Sequence, residues 1–288
     1  MKKFILLTLI AISISSIIPS AVYSIDITVG ATTWCAWGNR NEDIMSDRHW
    51  TGSAWGNNSR RYGNNTNYSF DPSFLYGPAL SIKFNNDFNL TFVYLYGKFE
   101  HQATYSDNAT EIPHPMNAVY KFKRNDSDIA LNYRLNDYLK VFAGIKYMKY
   151  DIKLTAENLA TNAVSPCNSN HTGYGPGFGF SGTYPLTENI FLLGTLSGFY
   201  LFSSGEEFND DLVYADTFNE KVGYNEYGIN STLSIAYYIA PAATVISLGG
   251  RFQYFKTDYD KKDRFYINSI TNKMYGITLT ATYTFSFL

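Results

Sequence analysis

The clearest pattern of apolar and polar positions lies at the C-terminal end. From Tyr275 one parity holds Tyr275, Ile277, Leu279, Ala281, Tyr283, Phe285 and Phe287, and the other holds Gly276, Thr278, Thr280, Thr282, Thr284 and Ser286. A β-strand sends successive side chains to opposite faces, so this stretch predicts a strand with one aromatic-ended apolar face and one face of hydroxyls and glycine. Its length suits the roughly 9–11 residues that a tilted strand needs to cross a bilayer. Strands of soluble sandwiches are shorter, about 5–6 residues, and usually carry charge on the outward face.

The same alternation recurs along the chain. Predicted strands run from Ile25 to Trp37, Phe74 to Phe84, Leu90 to Phe99, up to Leu135, and from Leu139 to Met148. Further ones run from Gly173 to Tyr184, Ile190 to Phe202, Tyr227 to Tyr237 and Ile246 to Tyr254. The stretch from Leu90 is apolar on both parities, so its faces stay unassigned. Short turns are expected at Asn85-Asn86-Asp87, Asn136-Asp137, Thr187-Glu188-Asn189 and Pro241-Ala242, where side chains that cap their own turns, or a proline, break the pattern. Between them lie long polar stretches: 38–68, 101–117 with Pro113 and Pro115, 155–171, the acidic 203–221, and a charged run that begins at Asp258. The two prolines of 101–117 argue against regular sheet there.

About ten strands with short and long connections in strict alternation predict a closed antiparallel transmembrane β-barrel, with short periplasmic turns and long extracellular loops. A Greek-key sandwich shows no such alternation of connection length. The closing strand, aromatic-rich and ending in Phe285, Phe287 and Leu288, resembles the final strand of bacterial outer-membrane β-barrel proteins. That resemblance implies an outer-membrane location and delivery by the barrel-assembly machinery.

The N-terminus fits export. Met1-Lys2-Lys3 is followed by an apolar run from Phe4 to Ile18, then Pro19 and Val22-Tyr23-Ser24, which reads as a signal peptide over 1–24 with the barrel over 25–288. The run is shorter than the ~20 residues of a membrane-spanning helix. With 25 Tyr and 21 Phe, the chain suits a membrane interface rather than a disordered state. Loss of Lys2 and Lys3 leaves 21 basic residues against 25 acidic, a mature net charge of −4 that offers no footprint for nucleic acid.

Charge on the polar parity points to the lumen, because Arg or Lys facing lipid at the midplane costs about 2–4 kcal/mol. Asp26, Lys83, Asp128, Arg134, Lys140, Lys146, Glu226 and Arg251 occupy such positions. In a barrel of about ten strands they either fill the lumen as paired charges or line a narrow polar path. Parity alone does not separate the two.

No nucleophile elbow, phosphate loop or H-E-x-x-H occurs, and no cofactor is expected. His49, His101, His114 and His171 fall in or beside the long polar stretches as exposed loop residues, and their spacing implies no metal site. Asp43, Asp47 and His49 in the first loop, with Asp210, Asp211 and Asp216 in a later one, loosely resemble the acid and histidine chemistry of the ten-stranded omptin surface proteases. An acidic loop at a cell surface is otherwise solvated or bridged by cations to lipopolysaccharide. Cys35 and Cys167 are the two cysteines, and an exported compartment permits a disulfide between them. Cys35 falls on the lipid parity, which argues against that bond.

The leading function is a small structural barrel or narrow channel. The second is an adhesin or receptor whose loops, with His49, Trp50, Trp55, Asp210 and Asp211, bind a host or environmental ligand. The third is a surface protease. Outer-membrane lipids and lipopolysaccharide are the expected surroundings in every case.

Overall fold

The computed structural model describes residues 25–44, 66–107, 114–159, 162, 164–211, 216–259 and 267–287. Ten antiparallel strands follow one another round a closed barrel: β1 Ile25–Ile44, β2 Thr66–Lys83, β3 Phe88–Asp107, β4 His114–Arg134 and β5 Leu139–Asn158, then β6 Val164–Pro185, β7 Ile190–Asp211, β8 Asp216–Ile239, β9 Thr244–Tyr259 and β10 Ile267–Phe287. Each strand pairs with its neighbours in sequence, and β1 closes on β10 from Ile25↔Phe287 upward. Closure leaves no sheet edge, so each strand has a neighbour on both sides in a medium that offers no other partners.

The short turns form for the reason the sequence suggests. Asn85 Oδ1 accepts from the backbone N–H groups of Asp87 and Phe88, both at 2.8 Å. Asn136 Oδ1 does the same for Tyr138 and Leu139 at 2.9 Å. Thr187 Oγ1 holds Asn189 and Ile190 at 3.4 and 3.1 Å. The fourth turn is a 3-10 turn over Ala240–Ala242, released by Ala243 at φ 44°.

The strands are far longer than a bilayer requires. They run from 16 residues in β9 to 24 in β8, against the roughly 9–11 of a membrane crossing. The outer surface marks where the membrane lies. Next to the periplasmic turns, Phe88 meets Tyr133 at 4.9 Å, Tyr138 meets Tyr184 at 6.2 Å and Tyr283 meets Phe285 at 4.5 Å. Eight residues up β10 from Tyr283 a second ring begins, with Tyr275 stacked on Trp37, Tyr200 stacked on Tyr227 and Tyr76 edge-on to Tyr96. Two aromatic girdles flanking an apolar band are the mark of a transmembrane barrel.

Above the upper girdle the hydrophobic pattern inverts. Within the band the outward residues are apolar and exposed, such as Ile145, Phe178, Leu233 and Leu279, while the lumen carries Thr28, Thr32, Thr280 and Thr284. Above it the inward residues Phe99, Phe122, Tyr150 and Phe255 are buried, and the outward ones are Lys98, Lys121, Lys153 and Lys256. The upper half is therefore a water-exposed barrel with its own apolar core.

This inversion corrects several expected boundaries. β3 continues to Asp107 and β4 starts at His114, so Pro115 lies in regular sheet as the second residue of its strand, opposite Ser106. A missing N–H is tolerated at a strand start, which the proline argument overlooked. β1 extends to Ile44, β5 to Asn158, β7 to Asp211 and β9 to Tyr259, each taking in residues assigned to loops. Pro78 and Pro176 sit inside strands where pairing lapses on one side, between Tyr76 and Ala79 against β3 and between Tyr174 and Gly177 against β7.

Inward glycines let these strands approach closely. A Cβ on Gly175 would run into the backbone carbonyl of Tyr200, and one on Gly144 into that of Ile129. The glycine alternation of 173–179 is thus a packing device on the lumen side.

Candidate functional site

The lumen is filled at the level of the upper girdle. Trp34, Leu75, Leu95, Arg124, Asp126, Met148, Leu201, Glu226 and Gln253 are all under 2% exposed. They come from β1, β2, β3, β4, β5, β7, β8 and β9, while β10 adds Met274 and β6 adds the glycines that make room. Nine large side chains from eight strands pack together at this level of the bore.

Arg124 is the centre of this layer. Its Nε donates to Asp126 Oδ1 at 3.1 Å and its Nη2 to Asp126 Oδ2 at 2.6 Å, a bidentate pair with both groups inaccessible. The same Nη2 donates to Gln253 Oε1, and Nη1 to Met274 Sδ. Four strands separate β4 from β9 in either direction round the barrel, so this side chain bridges opposite walls. Its guanidinium also lies 5.5 Å from the Tyr150 ring centre, 5.7 Å from Phe255 and 6.0 Å from Trp34. Lys146 Nζ continues the charge ladder downward, 3.9 Å from Asp126 and donating to Asp128 at 3.0 and 3.1 Å. Arg251 stacks over Trp34 at 4.5 Å.

A second polar cluster lies just above, round Glu226. Ser203 Oγ donates to Glu226 Oε2 at 2.9 Å and Thr257 Oγ1 donates to Oε1 at 3.0 Å. His171 Nε2 stands 3.0 Å from Oε2, an ion-pair distance without hydrogen-bond alignment. Its ring stacks on Tyr224 at 4.7 Å and meets Tyr150 edge-on at 5.6 Å. Serine, histidine and glutamate meet here, but the serine hydroxyl goes to the carboxylate and not to the imidazole. A nucleophilic serine needs a base on its own proton, so this arrangement holds a buried charge rather than activating an attack.

The eight charged residues expected in the lumen divide into two groups. Asp128, Lys146, Glu226 and Arg251 belong to the buried layer or its edges. Asp26 and Lys83 pair at 3.5 Å near the periplasmic mouth, Arg134 pairs with Asp137 of the adjoining turn, and Lys140 is half-buried beside them. Asp26 lies opposite Ser286, so it is remote from Thr280, which bonds Thr32 at 2.7 Å.

His171 corrects the expectation of exposed loop histidines: it is a buried residue of β6. His101 and His114 fall in β3 and β4. Asp210 and Asp211 fall in β7, opposite Thr217 and Asp216 of β8, and so are not loop residues. His49, Trp50, Trp55 and Asp47 lie outside the described residues. Cys35 is a free thiol on β1. Cys167 is on β6, four strands away either way round, so the permitted disulfide does not form.

Sequence reasoning missed Arg124, Asp126 and Gln253 as a unit. The signal was present, since Arg124, Asp126 and Asp128 share one parity of β4. It was hidden because the strand was followed only in its lower, membrane-facing half.

The family model described as Legionella pneumophila major outer membrane protein precursor matches residues 17–259. The chain belongs to that family. It is an outer-membrane β-barrel protein, and its apolar band sits among membrane lipids. Among solved structures, the outer membrane protease OmpT from Escherichia coli superposes with a TM-score of 0.60 at 13% identity, covering 92% of this chain and 99% of that one. The translocator domain of the autotransporter NalP from Neisseria meningitidis matches with a TM-score of 0.40 at 8% identity, over 94% of this chain and 92% of that one. The likeness to OmpT speaks to the fold alone. No curated protein matches the chain.

Proposed function

We propose that this protein is a structural outer-membrane barrel whose lumen is braced shut, carrying a rigid strand collar above the membrane. The observation that supports this is the Arg124 brace, which ties β4 to both Gln253 of β9 and Met274 of β10 within a fully buried layer. A conducting path needs a continuous line of solvated positions, and this layer interrupts it. Below the brace the lumen carries hydroxyls such as Thr32 and Thr280 together with the charged pair Asp26 and Lys83.

The test is solute uptake by proteoliposomes. The folded protein leaves vesicles tight to a small neutral sugar, whereas swelling at the rate of an open porin overturns the reading.

The adhesin or receptor reading draws support from the collar, since all ten strands continue past the upper girdle. Binding of a host or environmental ligand would be lost when residues 45–65 are deleted while the barrel still folds. The protease reading has the common OmpT architecture in its favour and no assembled site among the described residues.

Export belongs to the same proposal. The expected cleavage lies after Ser24. The intact mass of protein from outer membranes should match a chain that starts at Ile25. Delivery by the barrel-assembly machinery, through the aromatic β10, completes it.

A further inference from the structure

Three adjacent strands carry an unusual run of lysines on the outer wall, directly above the upper girdle. Lys98 of β3, Lys121 and Lys123 of β4, and Lys149 and Lys153 of β5 all lie on the outward parity. Below them on the same parity stand Tyr96 and Tyr147. The register makes the arrangement costly, because Lys98 is directly opposite Lys123, and Lys121 is directly opposite Lys153. Like charges in directly opposed positions of an antiparallel pair destabilise the sheet.

The acids on this wall are too few to offset them. Glu100, directly opposite Lys121 on its other side, pairs with it at 3.8 Å, and Asp151, directly opposite Lys123, pairs with Lys149 at 3.5 Å. Lys98, Lys123 and Lys153 form no ion pair with the described residues. The next acid up β5 on this parity, Glu157, is four residues beyond Lys153. Five lysines against two acids thus stand on a chain whose formal net charge is −2. The neighbouring face of β6 adds Asn168 and Asn170, which are neutral.

We propose that this wall docks the phosphate-bearing headgroup of an outer-leaflet glycolipid. The location decides the partner. The cluster begins where the lipid-facing band ends, so it is continuous with the bilayer surface and at headgroup height. Basic residues just beyond a membrane-embedded segment gain by meeting anionic lipid heads, and phosphate suits a lysine cluster as a point-charge partner. A bound phosphate between Lys98 and Lys123 also removes the repulsion that the register imposes. The inference deepens the structural-barrel reading and leaves the lumen out of account.

The test uses the full-length folded protein in neutral detergent, with purified lipopolysaccharide as the probe and native mass spectrometry as readout. Three arms accompany it: lipopolysaccharide stripped of its phosphates, phosphatidylcholine, and inorganic phosphate as competitor. The wild type should retain intact lipopolysaccharide, lose it on dephosphorylation and ignore phosphatidylcholine. Displacement by inorganic phosphate at concentrations equal to the lipid would overturn the lipid assignment. The triple variant Lys98→Gln, Lys123→Gln, Lys153→Gln should weaken retention about tenfold or more. These side chains are exposed, so the variant should fold, which the mobility difference between heated and unheated samples verifies. As a second variant, Lys256→Gln on the far wall should leave retention unchanged. Equal retention by wild type and triple variant overturns the proposal, as does equal retention of dephosphorylated lipid. Failure of this binding leaves the sealed lumen untouched, and conductance of the wild type leaves this binding untouched.

Discussion

Arg124 of β4 donates across the whole lumen to Gln253 of β9, the strand on the opposite wall, while both side chains are fully buried. The contact fastens two opposite walls of the barrel, alongside other contacts across the lumen such as Arg124 with Met274 and Arg251 with Trp34. It is also the contact on which the proposed closure of the lumen rests.

The brace makes a prediction about buried charge. Arg124→Ala leaves the Asp126 carboxylate buried without its bidentate partner, with Lys146 at 3.9 Å the one ion pair left to it among the described residues. The folded barrel should lose roughly 3–5 kcal/mol in denaturant titration in vesicles, the usual cost of stranding one partner of a buried pair. Arg124→Met combined with Asp126→Leu should cost clearly less, because no charge is left behind. If the double variant is as unstable as the single, the pair is not what holds this layer.

Opposite faces of β10 make a second. Leu279 points at lipid and is 46% exposed to it, so Leu279→Arg should destabilise the barrel by about 2–4 kcal/mol. Thr280 faces the hydroxyl-lined lower lumen, where Thr32 is its neighbour, and Thr280→Arg should cost about 1–3 kcal/mol from overfilling alone. The same titration compares them, and a worse outcome for Thr280→Arg would reverse inside and outside.

Glycine position is the third. Gly175→Ala sets a Cβ against the Tyr200 carbonyl, a backbone atom that cannot swing aside. Gly182→Ala on the outer face meets only the Tyr138 carbonyl, at an ordinary 3.5 Å. Refolding yields should fall sharply for the first and stay near wild type for the second, and equal yields would refute the close strand approach.

Topology gives a fourth. An epitope inserted after Asn57 should be labelled on intact cells, and one inserted at Glu188, in the turn before β7, only after permeabilisation. The opposite pattern would invert the barrel in its membrane.

The membrane half of the fold was legible in the sequence because lipid imposes a strict rule on it. Outward residues there must be apolar, so alternation such as Tyr275 to Phe287 shows both the strand and its faces. The turns were legible through Asn85, Asn136 and Thr187, whose side chains cap them. Above the girdle the rule lapses, and water outside with a packed core inside reverses the parity. β3 crosses that line, with Leu90, Phe92 and Tyr94 outward below and Leu95 and Phe99 inward above, so it read as apolar on both faces. The candidate site suffered for the same reason. Asp128 and Lys146 lie low enough to be read from the membrane pattern, whereas Arg124 stands in the upper part of β4 that this pattern does not reach and His171 at the end of a stretch that resembled a loop. The cross-barrel pairing of Arg124 with Gln253 has no local signature at all, since 129 residues separate them.

The most direct test of the sealed lumen is single-channel recording from the wild-type barrel in a planar bilayer. The brace predicts a silent baseline at both polarities, from protein whose insertion is verified by protease protection of the embedded strands. Reproducible conductance steps from that same folded protein would contradict it.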